Sequence, residues 1–162
     1  MTPNLPRPLL VLHIVAAVGL VGADLVLVAL GLSGVSGADP RTVYPAAYLV
    51  ETWLVAPLAV ITLATGIVQA TRGGWGLVRY WWTAIKLATT AAFTLLVVAV
   101  IVPRLAATAA AATAGQAFTI AARLPLAVVP AVAVAGIVLN VGLAVYKPAA
   151  QIRAHTAAPG SV

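Results

Sequence analysis

The stretch that decides the fold runs from Val11 to Gly31 and reads VLHIVAAVGLVGADLVLVALG. All but two of its 21 residues are apolar or glycine. About 20 such residues in a row can cross a bilayer as a helix, so this pattern predicts a membrane-spanning segment. The two exceptions, His13 and Asp24, are ionisable, and such groups inside a membrane normally face other helices rather than lipid.

The whole chain shares this apolar character. It has 162 residues, of which 63% are hydrophobic and 7% are charged, and its mean hydropathy is +1.11. Soluble domains carry about 25% charged residues, so this composition predicts an integral membrane protein. Cysteine is absent, which excludes disulfides and thiol chemistry. The net charge of +6 comes from single basic residues near the ends of apolar runs, which favours contact with membrane lipids over nucleic acid.

Four segments are long and apolar enough to span a membrane, at residues 8–31, 47–70, 80–102 and 124–146. We therefore predict an all-α polytopic membrane protein, a bundle of four transmembrane helices forming one domain over residues 1–148. A flexible polar tail is expected at residues 149–162. The stretches 33–41 and 71–79 are rich in turn-forming residues. The alanine-rich residues 105–122 fit either a surface helix or a frayed extension of the third span.

The basic residues also predict a direction. Five lie at the N-terminus, in the 71–79 stretch or in the tail, and three lie in the other connections. The positive-inside rule then places both termini in the cytoplasm and the protein in the cell membrane as a multi-pass component.

Helical periodicity places polar or small residues of each span on one face. These stripes are His13, Ala16, Ala17, Leu20 and Asp24 in the first span; Glu51, Leu58, Thr62, Thr65 and Gln69 in the second; Thr83, Lys86 and Thr90 in the third; and Ala133, Gly136 and Asn140 in the fourth. The opposite faces are apolar, so the stripes predict a polar interior. Gly19, Gly22 and Ala23 are expected to let a neighbouring helix approach the first span.

Depth along the helices divides the polar interior into two layers. His13, Lys86 and Asn140 fall about 8–9 Å from the cytoplasmic edge, and we expect them to form one hydrogen-bonded inner layer. Asp24 and Glu51 fall nearer the opposite side and form an outer layer. Because burial disfavours a charged carboxyl group, we hypothesise that Asp24 is at least partly protonated at neutral pH. It would then donate a hydrogen bond to Glu51 or to a backbone carbonyl.

Two blocks of sequence carry a resemblance to a known family. They are HIVAAVGLVGA, from His13 to Ala23, and TGIVQATRGGWGLVRYWWTAIK, from Thr65 to Lys86. Over residues 8–102 the chain resembles a family of small actinobacterial membrane proteins with four helices, for which no activity is established. The first-span histidine is also distantly similar to that of copper-resistance membrane proteins. The matching positions are His13, Gly19, Gly22, Ala23, Gly66, Gln69, Trp75, Gly76, Leu77, Arg79, Trp82 and Lys86. Tyr80 and Asp24 depart from the family pattern, which has histidine and an apolar residue there.

Three classes of function remain open. A structural or accessory bundle that binds lipid or a larger membrane complex needs only the features described, and it is favoured. Proton or small-solute transport through an oligomer would use Asp24, Glu51 and Lys86, because intramembrane ionisable groups often mark pathways. Haem or metal binding through His13 is less favoured, because a single histidine does not complete a usual site and no cofactor is expected. Serines lie only in connections and the tail, so no catalytic triad and no enzyme are expected.

Overall fold

Helices account for all the secondary-structure elements in the computed structural model, which describes residues 7–72 and 81–146. α1 spans Arg7–Val35. α2 (Pro40–Val50) and α3 (Ala56–Arg72) are joined by a π-helical turn, Glu51–Val55. α4 (Trp81–Leu96) and α5 (Val102–Thr113) are joined by a second π-helical turn, Val97–Ile101, and α6 spans Ile120–Tyr146.

Four continuous helical stretches are long and apolar enough to cross a membrane. They are Arg7–Val35, Pro40–Arg72, Trp81–Thr113 and Ile120–Leu143. The predicted all-α class with four helices of spanning length is therefore confirmed. The second stretch begins seven residues before the predicted 47–70, and the third ends eleven residues beyond the predicted 80–102. The predicted tail, 149–162, and most of the predicted turn at 71–79 lie outside the described residues.

Each π-helical turn ends two residues before a proline. The backbone N–H of Ala56 donates to the carbonyl of Glu51, five residues earlier, and Pro57 follows. The second turn repeats this arrangement before Pro103. Proline has no N–H, and its ring clashes with the carbonyl four residues before it in a regular α-helix. The wider π turn relieves this clash, so each span continues through its proline as one helix.

The residues of the connection between α1 and α2 determine its conformation. Gly37 has a positive φ of 103°, which favours glycine because it has no side chain. The carboxylate of Asp39 accepts a hydrogen bond of 3.0 Å from the backbone N–H of Arg41 and thereby caps α2. Pro40 occupies the first turn, where its missing N–H is not needed.

The alanine-rich segment differs from both predicted forms. α5 continues the third span to Thr113, and the chain then turns through Gly115, which has a φ of 86°. Leu105, Ala109 and Ala112 are buried, and α5 packs against α2. The segment is therefore neither a surface helix nor a frayed end. Its alanines are small enough to let two helices pack closely in the apolar core.

The tightest helix contact lies between α1 and α6. A Cβ atom built on Gly31 would lie 2.4 Å from the backbone nitrogen of Ala127 and 2.5 Å from the carbonyl carbon of Leu126. Only glycine permits this approach, as at other small-residue interfaces in membranes. Of the three residues predicted for such contacts, Ala23 is buried and Gly19 faces Leu58. The prediction for Gly22 is wrong, because a Cβ there would meet nothing within 4 Å.

Candidate functional site

His13 joins α1 to α3 in the inner polar layer. Its Nδ1 lies 2.8 Å from the hydroxyl oxygen of Thr65. That hydroxyl also lies 2.6 Å from the carbonyl oxygen of Ile61 and 3.2 Å from that of Thr62, either of which can accept its single proton. When the hydroxyl donates to one of these carbonyls, a proton on His13 Nδ1 completes the contact with Thr65. Gly66 lies beside the ring, where a Cβ would reach van der Waals contact with His13 Cε1 at 3.4 Å.

Asn140 joins α6 to α4 near the same end of the bundle. The Thr89 hydroxyl lies 3.0 Å from Asn140 Oδ1 and 2.8 Å from the carbonyl oxygen of Ile85, and it can donate its single proton to either. Asn140 Nδ2 in turn donates to the Thr90 hydroxyl at 3.3 Å. One turn earlier in α6, Gly136 makes room for the ring of Phe93, which lies 2.8 Å from a Cβ built there. The stripe predicted for the fourth span therefore faces α4.

The side chain of Lys86 is half-buried and makes no hydrogen bond with either of these groups, although its charge lies close enough to act on His13. Its ammonium lies 6.0 Å from the centroid of the Trp82 ring, at the outer limit of a cation–π contact. Within residues 7–72 and 81–146, no hydrogen bond joins Lys86, His13 and Asn140 to one another. The predicted mutual hydrogen bonds are therefore wrong. Threonines take their place, because a short hydroxyl side chain on the facing helix reaches each group directly.

Asp24 and Glu51 are the two buried acids of the described chain, and each is 4% exposed. They lie on α1 and at the start of the first π-helical turn, close enough for their charges to repel. Neither makes a hydrogen bond or ion pair with any residue that the structure describes. The predicted hydrogen bond from Asp24 to Glu51 or to a carbonyl is therefore not formed. Apolar residues of the core, including Leu20, Leu27 and Val55, come from the same stretches of helix.

Arg123 is a structural residue that the sequence analysis treated only as a charge at the end of a span. Its Nη1 donates to the carbonyls of Gly34 at 2.9 Å and Ala38 at 3.4 Å, and its Nε donates to the carbonyl of Phe118 at 3.2 Å. One guanidinium thus ties α6 to the end of α1 and to both connections at this end of the bundle. The signal in the sequence was the place of Arg123, in the first turn of an otherwise apolar helix.

Tyr44 supports the same end of the bundle from α2. Its hydroxyl donates to the carbonyl of Ala122 at 3.4 Å. Its ring lies 4.8 Å from that of Phe118, with the two planes tilted by 39°. Neither residue lies on a predicted polar stripe, so helical periodicity does not indicate these two contacts.

The described residues contain no group of three His, Cys, Asp or Glu side chains that could hold a metal ion. No family model matches the chain, and no match was found among curated proteins or solved structures. The resemblance to the actinobacterial family therefore stays a prediction.

Proposed function

We propose that this protein is a structural or accessory component of the cell membrane, with both termini in the cytoplasm. Its partner would be membrane lipid or a larger membrane complex. The observation that carries this proposal is the use of its polar side chains. His13, Asn140 and Arg123 each bond to a different segment of the same chain, so these groups hold the bundle together. Contacts within the chain therefore account for these three side chains without a substrate.

A second function, proton or small-solute transport through an oligomer, is favoured by Asp24 and Glu51. Burying a carboxyl group without a hydrogen-bond partner is unfavourable, and two adjacent ones repel when both are charged. A purely structural role for these acids would be supported by hydrogen bonds, and the described residues supply none. Ionisable groups inside a membrane often mark ion or proton pathways, in which Lys86 would be a third participant.

Proton flux in proteoliposomes distinguishes the two functions. The chain has three acids, which allows matched variants: Asp24→Asn and Glu51→Gln remove the buried carboxyl groups, and Asp39→Asn removes the exposed one. Our proposal predicts that all four proteins give the same flux as empty liposomes. Since Asp24→Asn breaks no hydrogen bond and keeps a polar side chain of similar size, we also expect the free energy of unfolding of this variant to stay within about 1 kcal/mol of that of the unmodified chain.

A different result would favour transport. The unmodified chain and Asp39→Asn would then conduct protons above the level of empty liposomes. Asp24→Asn or Glu51→Gln would abolish that flux while keeping the stability of the fold.

A further inference from the structure

An open groove of about 240 Å³ lies at the end of the bundle that carries the connections 36–39 and 114–119. Its walls include the side chains of Arg41, Gln116, Phe118 and Arg123, together with Asp39 and Pro40 at the start of α2. The second span begins here, the third ends here and the fourth begins here. In a membrane this level corresponds to the lipid headgroups.

Arg123 is a fixed cation at this groove. Three backbone carbonyls hold its Nε and Nη1, as described above, and they fix the plane of the guanidinium. Its Nη2 makes no hydrogen bond with the described residues. A guanidinium whose position is already fixed loses little side-chain freedom when it binds a ligand.

Arg41 supplies a second cation. Its Nη2 would lie 2.8 Å from a Cβ built on Gly115, so the guanidinium rests against the backbone of the second connection. Within the described part of the chain, this guanidinium makes no hydrogen bond or ion pair. Asp39 is the one acid that lines the groove, and its Oδ1 already accepts from the backbone N–H of Arg41. Two guanidinium groups therefore face one carboxylate, which leaves the groove with a net positive charge.

We propose that this groove binds the phosphate of an anionic glycerophospholipid headgroup. Guanidinium groups match the geometry of phosphate oxygens and bind them through paired hydrogen bonds. The amide of Gln116 adds a further donor. The volume is below the range of about 300–1,000 Å³ typical of small-molecule pockets, which suits a headgroup rather than a whole lipid. Phe118 and Pro40 offer apolar surface beside the cations, where the glycerol and the first acyl carbons would lie. This inference rests on the proposed function only in placing the chain in a membrane.

Lipid binding by the purified full-length protein tests this site. Phosphatidylglycerol and phosphatidylcholine with the same acyl chains are titrated separately, and bound lipid is counted by native mass spectrometry. The unmodified chain is compared with Arg41→Gln and with Arg104→Gln, which removes an exposed arginine of α5 that does not line the groove. We expect Arg41→Gln to weaken phosphatidylglycerol binding about fivefold, since a basic residue near anionic lipid contributes about 1 kcal/mol. Phosphatidylcholine binding and the Arg104→Gln variant should be unaffected.

Three results would overturn the proposal. Equal losses of phosphatidylglycerol affinity in Arg41→Gln and Arg104→Gln would show a general effect of surface charge. Unchanged binding in both would show that the groove is not used. Displacement of phosphatidylglycerol by millimolar inorganic phosphate would assign the site to free phosphate. None of these results bears on whether the protein has a protein partner, so failure here is separate from failure of the proposed function.

Discussion

Gly31→Ala is expected to lower the free energy of unfolding of the bundle by about 2–3 kcal/mol, the range for severe overpacking. The added Cβ would lie 2.4–2.5 Å from backbone atoms of Leu126 and Ala127. Backbone atoms cannot rotate away as a side chain does, so α1 and α6 must separate. This separation removes contacts along the most extensive helix interface of the described chain. The expected loss exceeds the gain of about 1 kcal/mol that alanine brings over glycine within a helix.

Gly22→Ala is the matched control in the same helix. A Cβ at Gly22 meets nothing within 4 Å, so only the helix-propensity gain remains. We expect its stability to be unchanged or raised by up to about 1 kcal/mol. Unfolding in mixed detergent micelles, followed by circular dichroism, measures both variants. Equal stabilities for Gly31→Ala and Gly22→Ala would contradict the close approach of α1 and α6.

Arg123→Gln is expected to lower the free energy of unfolding by about 2–3 kcal/mol. Hydrogen bonds to charged groups contribute about 1.5–3 kcal/mol each, and bonds from one side chain are not additive. The substitution removes the donors to Gly34, Ala38 and Phe118. Gly34 is buried, so its carbonyl loses a bond where water cannot readily replace it.

Two further variants separate the role of the hydrogen bonds from that of the charge. Arg123→Lys keeps the charge but loses the planar fork, so an intermediate loss of stability is expected. Arg104→Gln removes a charge from an exposed side chain, and its stability should stay within about 0.5 kcal/mol of that of the unmodified chain. If Arg123→Gln and Arg104→Gln were equally stable, the hydrogen bonds of Arg123 to the three carbonyls would not stabilise the bundle, contrary to our account.

The number of spans and the all-α class could be predicted from the sequence, because a helix needs about 20 apolar residues to cross the bilayer. The ends of the helices did not follow from it. Residues 40–46 contain Arg41 and Pro45, which resemble a connection, yet Asp39 caps a helix that begins at Pro40. The π-helical turns before Pro57 and Pro103 relieve a local steric clash in the backbone, which the hydropathy of the sequence does not reveal. Gly31 was missed because its role depends on which helix lies opposite.

Helical periodicity predicted which helix faces point inward at the candidate site, but it did not predict which side chains form hydrogen bonds there. His13, Thr65 and Asn140 lie on predicted stripes and do contact neighbouring helices. Their partners could not be predicted, because helix rotation and tilt decide whether a threonine or a longer side chain lies within 3 Å. Thr89 lay on no predicted stripe, yet it bonds to Asn140. Asp24 and Glu51 lie close enough for their charges to interact, as predicted. The hydrogen bond predicted between them is not formed.

The most direct test of the proposed accessory role is isolation of the protein from its own membrane in polymer-bounded nanodiscs, without detergent. Quantitative mass spectrometry then gives the ratio of each polypeptide to this 162-residue chain. An unrelated multi-pass protein isolated with the same tag serves as the control. We predict a second polypeptide at a fixed, whole-number ratio in independent preparations and absent from the control. Particles that hold this chain alone, or only copies of it, would contradict the proposed role.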